Sequence, residues 1–190
     1  MIFRQNTLNK ILKSTFTVFS ALLIAPLFGC MANTSNQSSL GDASCTTAQV
    51  QSDVLNQVNH LRAAGAVCGG VPYPPVAPLR WSTKLQQAAA LHSQDMASHN
   101  FFSHKSATNS STMPDRLRAV GYNYQAAGEN IGAGVSTVSQ VIDMWVASPG
   151  HCVILMTANF AELGASCQSS RHSYYKTYWT LNAAALMPMR

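Results

Sequence analysis

The stretch AAGENIGAG, Ala126–Gly134, places a carboxylate in a run of residues with almost no side chain. Glutamate is scarce in this chain, which has two, Glu129 and Glu162. Gly128 precedes Glu129 and small residues flank both, so other elements can approach this backbone closely and leave the carboxylate facing a cleft. The character of the chain turns here. Helical periodicities lie before it, whereas "YNYQ", Tyr122–Gln125, opens an extended segment, and "FAELGASC" and "YKTYWTLNAA" further on read as strands. Helices early and strands late, without repeated strand–helix alternation, give an α+β layered domain instead of a doubly wound sheet.

Outward from that stretch, each earlier element has its own signature. Val50, Val54, Leu55, Val58 and Leu61 recur at helical spacing, and Gly65 stops the helix. "GGVPYPPVAP", Gly69–Pro78, reads as a loop without regular structure. Ser82 caps a long helix running to about Asn100, with Leu85, Ala88, Ala89, His92 and Met96 along one side. "STMPDRLRAVG", Ser111–Gly121, is a shorter helix with Pro114 in its first turn and Gly121 at its end. Thr137 caps another, carrying Val138, Val141, Ile142 and Trp145 and ended by Pro149 and Gly150. Trp81, Trp145 and Trp179 are expected in the core, and His92 as a core histidine with one satisfied partner. No internal repeat interrupts this order.

At 190 residues, 47% hydrophobic and 10% charged, the chain suffices for one domain with a proper core. Arg4, Lys10 and Lys13 precede the apolar run FTVFSALLIAPLFGC, Phe16–Cys30. A cationic head followed by a short apolar stretch reads as an export signal, too short for a bilayer-spanning helix. Without those three cations the formal charge drops from +5 to +2, which offers no footing for nucleic acid. "LFGC", Leu27–Cys30, resembles the bacterial lipobox, in which the cysteine carries a lipid and becomes the first mature residue. Phe28 is bulkier than that pattern's usual occupant, and the other reading is an ordinary secretory signal with an incidental cysteine. The expectation is a signal over residues 1–30, a flexible polar tether over 31–44 and a folded domain over 45–190. A lipid anchor at Cys30 would attach the protein to a membrane. Met31 lacks the aspartate that retains lipoproteins at the inner membrane in many two-membrane bacteria. The expected location is therefore the cell envelope, outer membrane or periplasm in such a cell, and otherwise secreted.

Setting Cys30 aside leaves Cys45, Cys68, Cys152 and Cys167, an even number suited to two disulfides in an oxidising compartment. Of the three pairings, Cys45–Cys68 with Cys152–Cys167 closes the most local loops and is the expectation.

Three segments set histidine or glutamate at element boundaries: "NFFSHKS" with His104, "GENIGAG" with Glu129 and "SPGHCVILM" with His151. Two imidazoles and a carboxylate are the donor set of an open metal site, which makes Zn2+ or another divalent cation the expected cofactor. Equally, Glu129 could serve only as a hydrogen-bond acceptor that fixes a loop, a network that needs no metal. Ser103 beside His104 and Ser148 near His151 invite a hydrolase reading, but there is no Gly-x-Ser-x-Gly elbow and no phosphate-binding loop.

"LHSQDMASHNFFSH", "GENIGAG", "MWVASPGHCVILM" and "FAELG" stand in the order found in the CAP superfamily, and the chain resembles that family from Ala48 to its end. The family comprises cysteine-rich secretory proteins, plant pathogenesis-related proteins and bacterial SCP-like extracellular proteins. The resemblance implies a three-layer α-β-α sandwich with a central cleft in which two histidines and acidic residues gather, with a divalent ion in some members. By motif match His104, Glu129 and His151 are those residues. Ser148 stands where many eukaryotic members carry a second glutamate, which removes one anion and an obvious general base. Sterol or fatty-acid binding, peptide binding and proteolysis are all associated with the family. The expected function is therefore a binding module for a lipid, another apolar molecule or an envelope component. A metal-dependent, peptidase-like hydrolase using the same cleft is the alternative, and an envelope protein that docks onto other proteins is a third.

Overall fold

A computed structural model describes Cys45 and residues 47–187 of the chain. The expected signal, the lipid-bearing Cys30 and the tether therefore lie outside the described residues. The first described element is helix α1 (Thr47–Ala64), whose Val50, Val54 and Val58 are buried at the predicted spacing. It ends at Gly65, where φ of 78° reverses the chain. Strands β1 (Ala66–Cys68) and β2 (Val71–Tyr73) then pair antiparallel around Gly69 and Gly70. The segment expected to be loop is thus partly a hairpin. Its prolines are tolerated because this two-stranded sheet is all edge.

After β3 (Arg80–Trp81) comes α2 (Thr83–His99), which Ser82 caps as expected. Helix α3 (Met113–Ala119) starts with a capping box between Thr112 and Asp115. The 10-residue strand β4 (Tyr124–Ala133) is followed by α4 (Val138–Ala147), capped by Thr137, and by α5 (Pro149–Met156). Pro149 and Gly150 therefore begin a helix instead of only ending one, Pro149 occupying the first turn where its missing N–H costs nothing. Strands β5 (Glu162–Ser169) and β6 (Thr177–Leu186) complete the domain.

The main sheet has the order β3-β5-β6-β4, with β3 parallel to β5 and the other pairs antiparallel. Alternation along β6 sorts the two faces. Trp179, Leu181, Ala183 and Ala185 pack with Val54 and Val58 of α1, Trp145 of α4 and Leu155 of α5. On the other face Ala184 meets Leu85, Ala88 and Leu117 of α2 and α3, and Tyr178 meets Met96 and Ala97. The result is the expected α-β-α sandwich, an α+β fold with α1, α4 and α5 on one side and α2 and α3 on the other. Trp145 and Trp179 are fully buried; Trp81 is half-buried.

The local disulfide pairing is overturned. Cys45 bonds Cys167 and Cys68 bonds Cys152, across sequence separations of 122 and 84 residues. Layering explains it. Helix α1 lies along β5, which brings Cys45 at its start to Cys167, and β1 packs on α5, which brings Cys68 to Cys152. A second tie was not legible either: Arg62, with no exposed surface, donates to the carbonyls of Ala77, Leu155 and Thr157 at 2.7, 2.7 and 3.1 Å. It pins the end of α1 to the turn after α5.

Candidate functional site

Strand register decides which way Glu129 faces. Glu129 pairs with Asn182 and shares its face, the one covered by α2 and α3, while Gly128, Asn130 and Gly132 face α4 and α5. The small residues answer to that second layer. A Cβ on Gly132 would lie 2.7 Å from Val141 Cγ2, and one on Gly128 3.1 Å from Ile154 Cγ2. Their absence lets α4 and α5 sit down on the strand, and Trp145 Nε1 donates to the Ile131 carbonyl at 2.8 Å. Because β4 is an edge strand, the loop after α2 and the start of α5 can reach past it from opposite layers.

They bring two histidines together. His104 comes from the loop after α2 and His151 from α5, with ring centroids 6.4 Å apart. His104 Nδ1 lies 2.9 Å from Glu129 Oε1. An ionised carboxylate only accepts, so Nδ1 carries the proton and the other ring nitrogen faces away from Glu129. The His104 side chain is 57% exposed whereas that of Glu129 is 4% exposed, so the pair runs from surface to interior. His151 is half-buried; its Nδ1 is buried without a protein partner, and its carbonyl accepts from Asn130 Nδ2 at 3.1 Å. The three expected residues thus meet at one edge of the sheet. Ser148 sits at the α4–α5 junction, where its carbonyl accepts from Cys152 N and its hydroxyl caps nothing.

Sequence reasoning missed the strongest partner of Glu129. Arg116 of α3, buried like the carboxylate, donates through Nη2 to Oε1 at 3.0 Å and Oε2 at 2.8 Å. The same guanidinium donates to the carbonyls of His104 at 3.1 Å and Ser111 at 3.1 Å, so it clamps the loop that presents His104. No local signal marks it: Arg116 and Arg118 flank the core residue Leu117 alike, and only tertiary packing buries Arg116 while leaving Arg118 exposed. Burial pushes the Glu129 carboxyl upward, but the hydrogen bond from His104 and the charge and hydrogen bonds of Arg116 outweigh it, holding it below its ordinary value. His92 is fully buried, with Nε2 2.9 Å from the Ser103 carbonyl and Nδ1 without a partner, as expected of a core histidine with one satisfied nitrogen. Burial lowers its pKa. Burial also lowers that of His151, followed by the effect of His104.

This geometry tests the donor set. Among the described residues no three His, Cys, Asp or Glu side chains are grouped to hold a metal ion. Glu129, taken by Arg116 and His104, does not fit as a direct ligand. The two imidazoles fit as donors, with the carboxylate behind His104 in the place of the group that orients a ligating histidine.

A hollow lies in each of the two helical layers. One of about 530 Å³ is lined by Leu91, Asp95, Asp115 and Arg116 between α2 and α3. Another of about 590 Å³ runs between α1 and α4, with Leu61, Ala64, Ile142 and Val146 among its lining and His60 and Asp143 beside them. Among the described residues no helix is long and apolar enough to cross a membrane.

The profile of the cysteine-rich secretory protein family, CAP, matches residues 55–183. The chain is 37% identical over 87 residues to protein YkwD of Bacillus subtilis, covering 46% of this chain and 34% of that protein. It thus spans about a third of that relative's length. Among solved structures, an extracellular protein containing an SCP domain from Bacillus anthracis superposes with a TM-score of 0.56 at 29% identity, over 73% of this chain and 42% of that one. An outer surface protein of Borrelia burgdorferi shares the fold with a TM-score of 0.63 at 13% identity, over 75% and 96% of the two chains. With its sandwich, its paired histidines beside a buried glutamate and a profile match over most of its length, the chain belongs to the cysteine-rich secretory protein (CAP) family.

Proposed function

We propose that this CAP domain is an exported, envelope-held binding module for an apolar molecule. The observation that carries the reading is the bonding of Glu129. Both of its oxygens accept from Arg116, and one also accepts from His104. A carboxylate so engaged is a structural anion, poorly placed to take a proton from water during turnover. The groove between α1 and α4 supplies what an acyl chain or similar ligand needs: an aliphatic floor of Leu61, Ala64, Ile142 and Val146, with His60 and Asp143 for its polar end. The exported location is supported by the signal-like N-terminus and by two disulfides. An anchor at Cys30 belongs to the same proposal. So does a divalent cation on His104 and His151, which would lock the α2 loop to α5 across β4.

The test is ligand capture. The purified protein should bind a fluorescent fatty acid, and Ile142→Trp, which fills the groove, should abolish binding while the disulfides remain intact. Equal binding by that variant would remove the groove from the proposal. For the cation, calorimetric zinc titration should give heat that disappears in His104→Ala and in His151→Ala.

One observation favours the hydrolase alternative: the His104–Glu129 bond is the base–orienter half of a hydrolytic constellation. Peptide or ester turnover that disappears in Glu129→Gln, with the fold retained, would replace the binding reading with that one.

A further inference from the structure

Among the described residues, the exposed aromatic side chains are not scattered. Tyr174 is 79% exposed, Phe102 43% and Tyr175 40%. They touch one another, with ring centroids 5.6 Å apart for Phe102–Tyr175 and 4.9 Å for Tyr174–Tyr175. Two come from the turn between β5 and β6 and the third from the loop after α2. The turn is held in shape: Asn100 Oδ1 accepts from Tyr174 N at 2.6 Å and from the Tyr178 hydroxyl at 3.3 Å, and Ser170 N donates to the Lys176 carbonyl at 2.8 Å. The sequence of that turn, "SRHSYYKT", carries Arg171 and Lys176, both exposed, and no acid. Lys105, also exposed, follows on the Phe102 side. Three exposed rings, with three exposed cations in the same two segments, have the composition of a membrane–water interface and not of a solvated loop.

The position of this patch says what it meets. Cys45, where the chain enters the described fold, is bonded to Cys167 near the end of β5, and its sulfur lies 3.4 Å from Ser169 Oγ, immediately before the aromatic turn. Cys45, the first described residue, therefore lies at the same pole as Tyr174 and Tyr175. A lipid on Cys30 would bring this pole toward the bilayer.

We propose that Phe102, Tyr174 and Tyr175, with Arg171, Lys176 and Lys105, form a docking face for an anionic lipid surface. Tyrosine and phenylalanine rings settle at headgroup depth, while the cations meet the negative surface potential, an attraction that fades within a Debye length and weakens in salt. Docking fixes the orientation of the domain. The loop that carries Phe102 carries His104 two residues later, which places the His104–His151 edge on the same side of the sheet end as the docking face, set back along β4 from Gly134, where an added Cβ would lie 3.6 Å from Tyr175 Cδ1. The orientation argument rests on the envelope-held reading above, whereas the lipid affinity of the face does not.

The mature protein bound to vesicles provides the test. Hydroxyl-radical footprinting should show oxidation of Tyr174 and Tyr175 reduced several-fold on phosphatidylcholine vesicles containing phosphatidylglycerol, compared with pure phosphatidylcholine. Leu91, exposed on α2, is the internal control. High salt, or the pair Arg171→Gln with Lys176→Asn, should restore oxidation. Asparagine suits position 176 because its φ is 67°. Non-reduced peptide mapping verifies that the variant keeps its disulfides. Intact mass of the mature N-terminus reports acylation separately. A chain without an acyl group is added to the same vesicles from solution, so loss of the anchor does not decide the result. Equal oxidation of both tyrosines on anionic and neutral vesicles overturns the proposal. Protection that requires envelope proteins and not lipid also overturns it, assigning the face to a protein partner.

Discussion

Arg116 and Glu129 are both about 95% buried in their side chains, and the two depend on each other. Removing one partner of a buried pair leaves an uncompensated charge, so Arg116→Ala should lower the unfolding free energy by about 3–5 kcal/mol in urea titration. His104→Ala, at the half-exposed end of the network, should cost no more than about 1 kcal/mol. A similar loss from both would disprove the division of labour between clamp and presented group. The same residues predict acid sensitivity. Burial lowers the folded pKa of His92 below its ordinary 6.5. The unfolded chain then takes up a proton that the folded chain refuses, and stability falls as pH drops below 6.5. Glu129, depressed below 4.5, continues the loss in the carboxylate range, because its stabilisation is present above that value and disappears as it protonates. His92→Gln should flatten the first part of the stability–pH curve and leave the second. An unchanged slope below 6.5 would shift the first part to His151, whose pKa is lowered in the same direction.

At the scale of elements, three glycines measure how closely helices sit on strands. A Cβ on Gly164 would stand 2.1 Å from the Gln86 backbone nitrogen, on Gly132 2.7 Å from a Val141 methyl and on Gly128 3.1 Å from Ile154. Alanine should therefore be tolerated in the reverse order. Gly128→Ala should cost least, Gly132→Ala about 1–3 kcal/mol, and Gly164→Ala should prevent a stable fold, as thermal melts and expression yield will show. Much of this level was legible beforehand. Ser82, Thr137 and the valines of α1 announced their helices, because caps and periodicity are local properties. The turn between α4 and α5 was half seen: Pro149 stops one helix and starts the next, and sequence gives no reason to prefer one role. His104, Glu129 and His151 were found as types at boundaries, but Arg116 and Arg62 were not. Whether an arginine is buried depends on the acids and carbonyls that tertiary packing brings to it, and these lie 13 residues away for the acid of Arg116 and as far as 98 for the Phe160 carbonyl of Arg62.

For the whole molecule, the disulfides set the long-range frame. Non-reduced peptide mapping should give Cys45–Cys167 and Cys68–Cys152, and by the loop-entropy estimate the Cys68–Cys152 bond alone contributes about 4–5 kcal/mol. Local loop closure was the wrong guide because the packing of α1 on β5 and of β1 on α5 joins segments far apart in sequence. That nesting bears on how the protein is made. If Cys30 is acylated, an oxidant that meets the remaining cysteines in the order they emerge from a translocon would join Cys45 with Cys68, and that bond is absent from the finished fold. Correct maturation therefore requires either that oxidation wait for Cys152 and Cys167 to emerge or that an isomerase undo the early bond. In a host lacking such an isomerase, the expected failure is a soluble but wrongly crosslinked product with the mass of the native one.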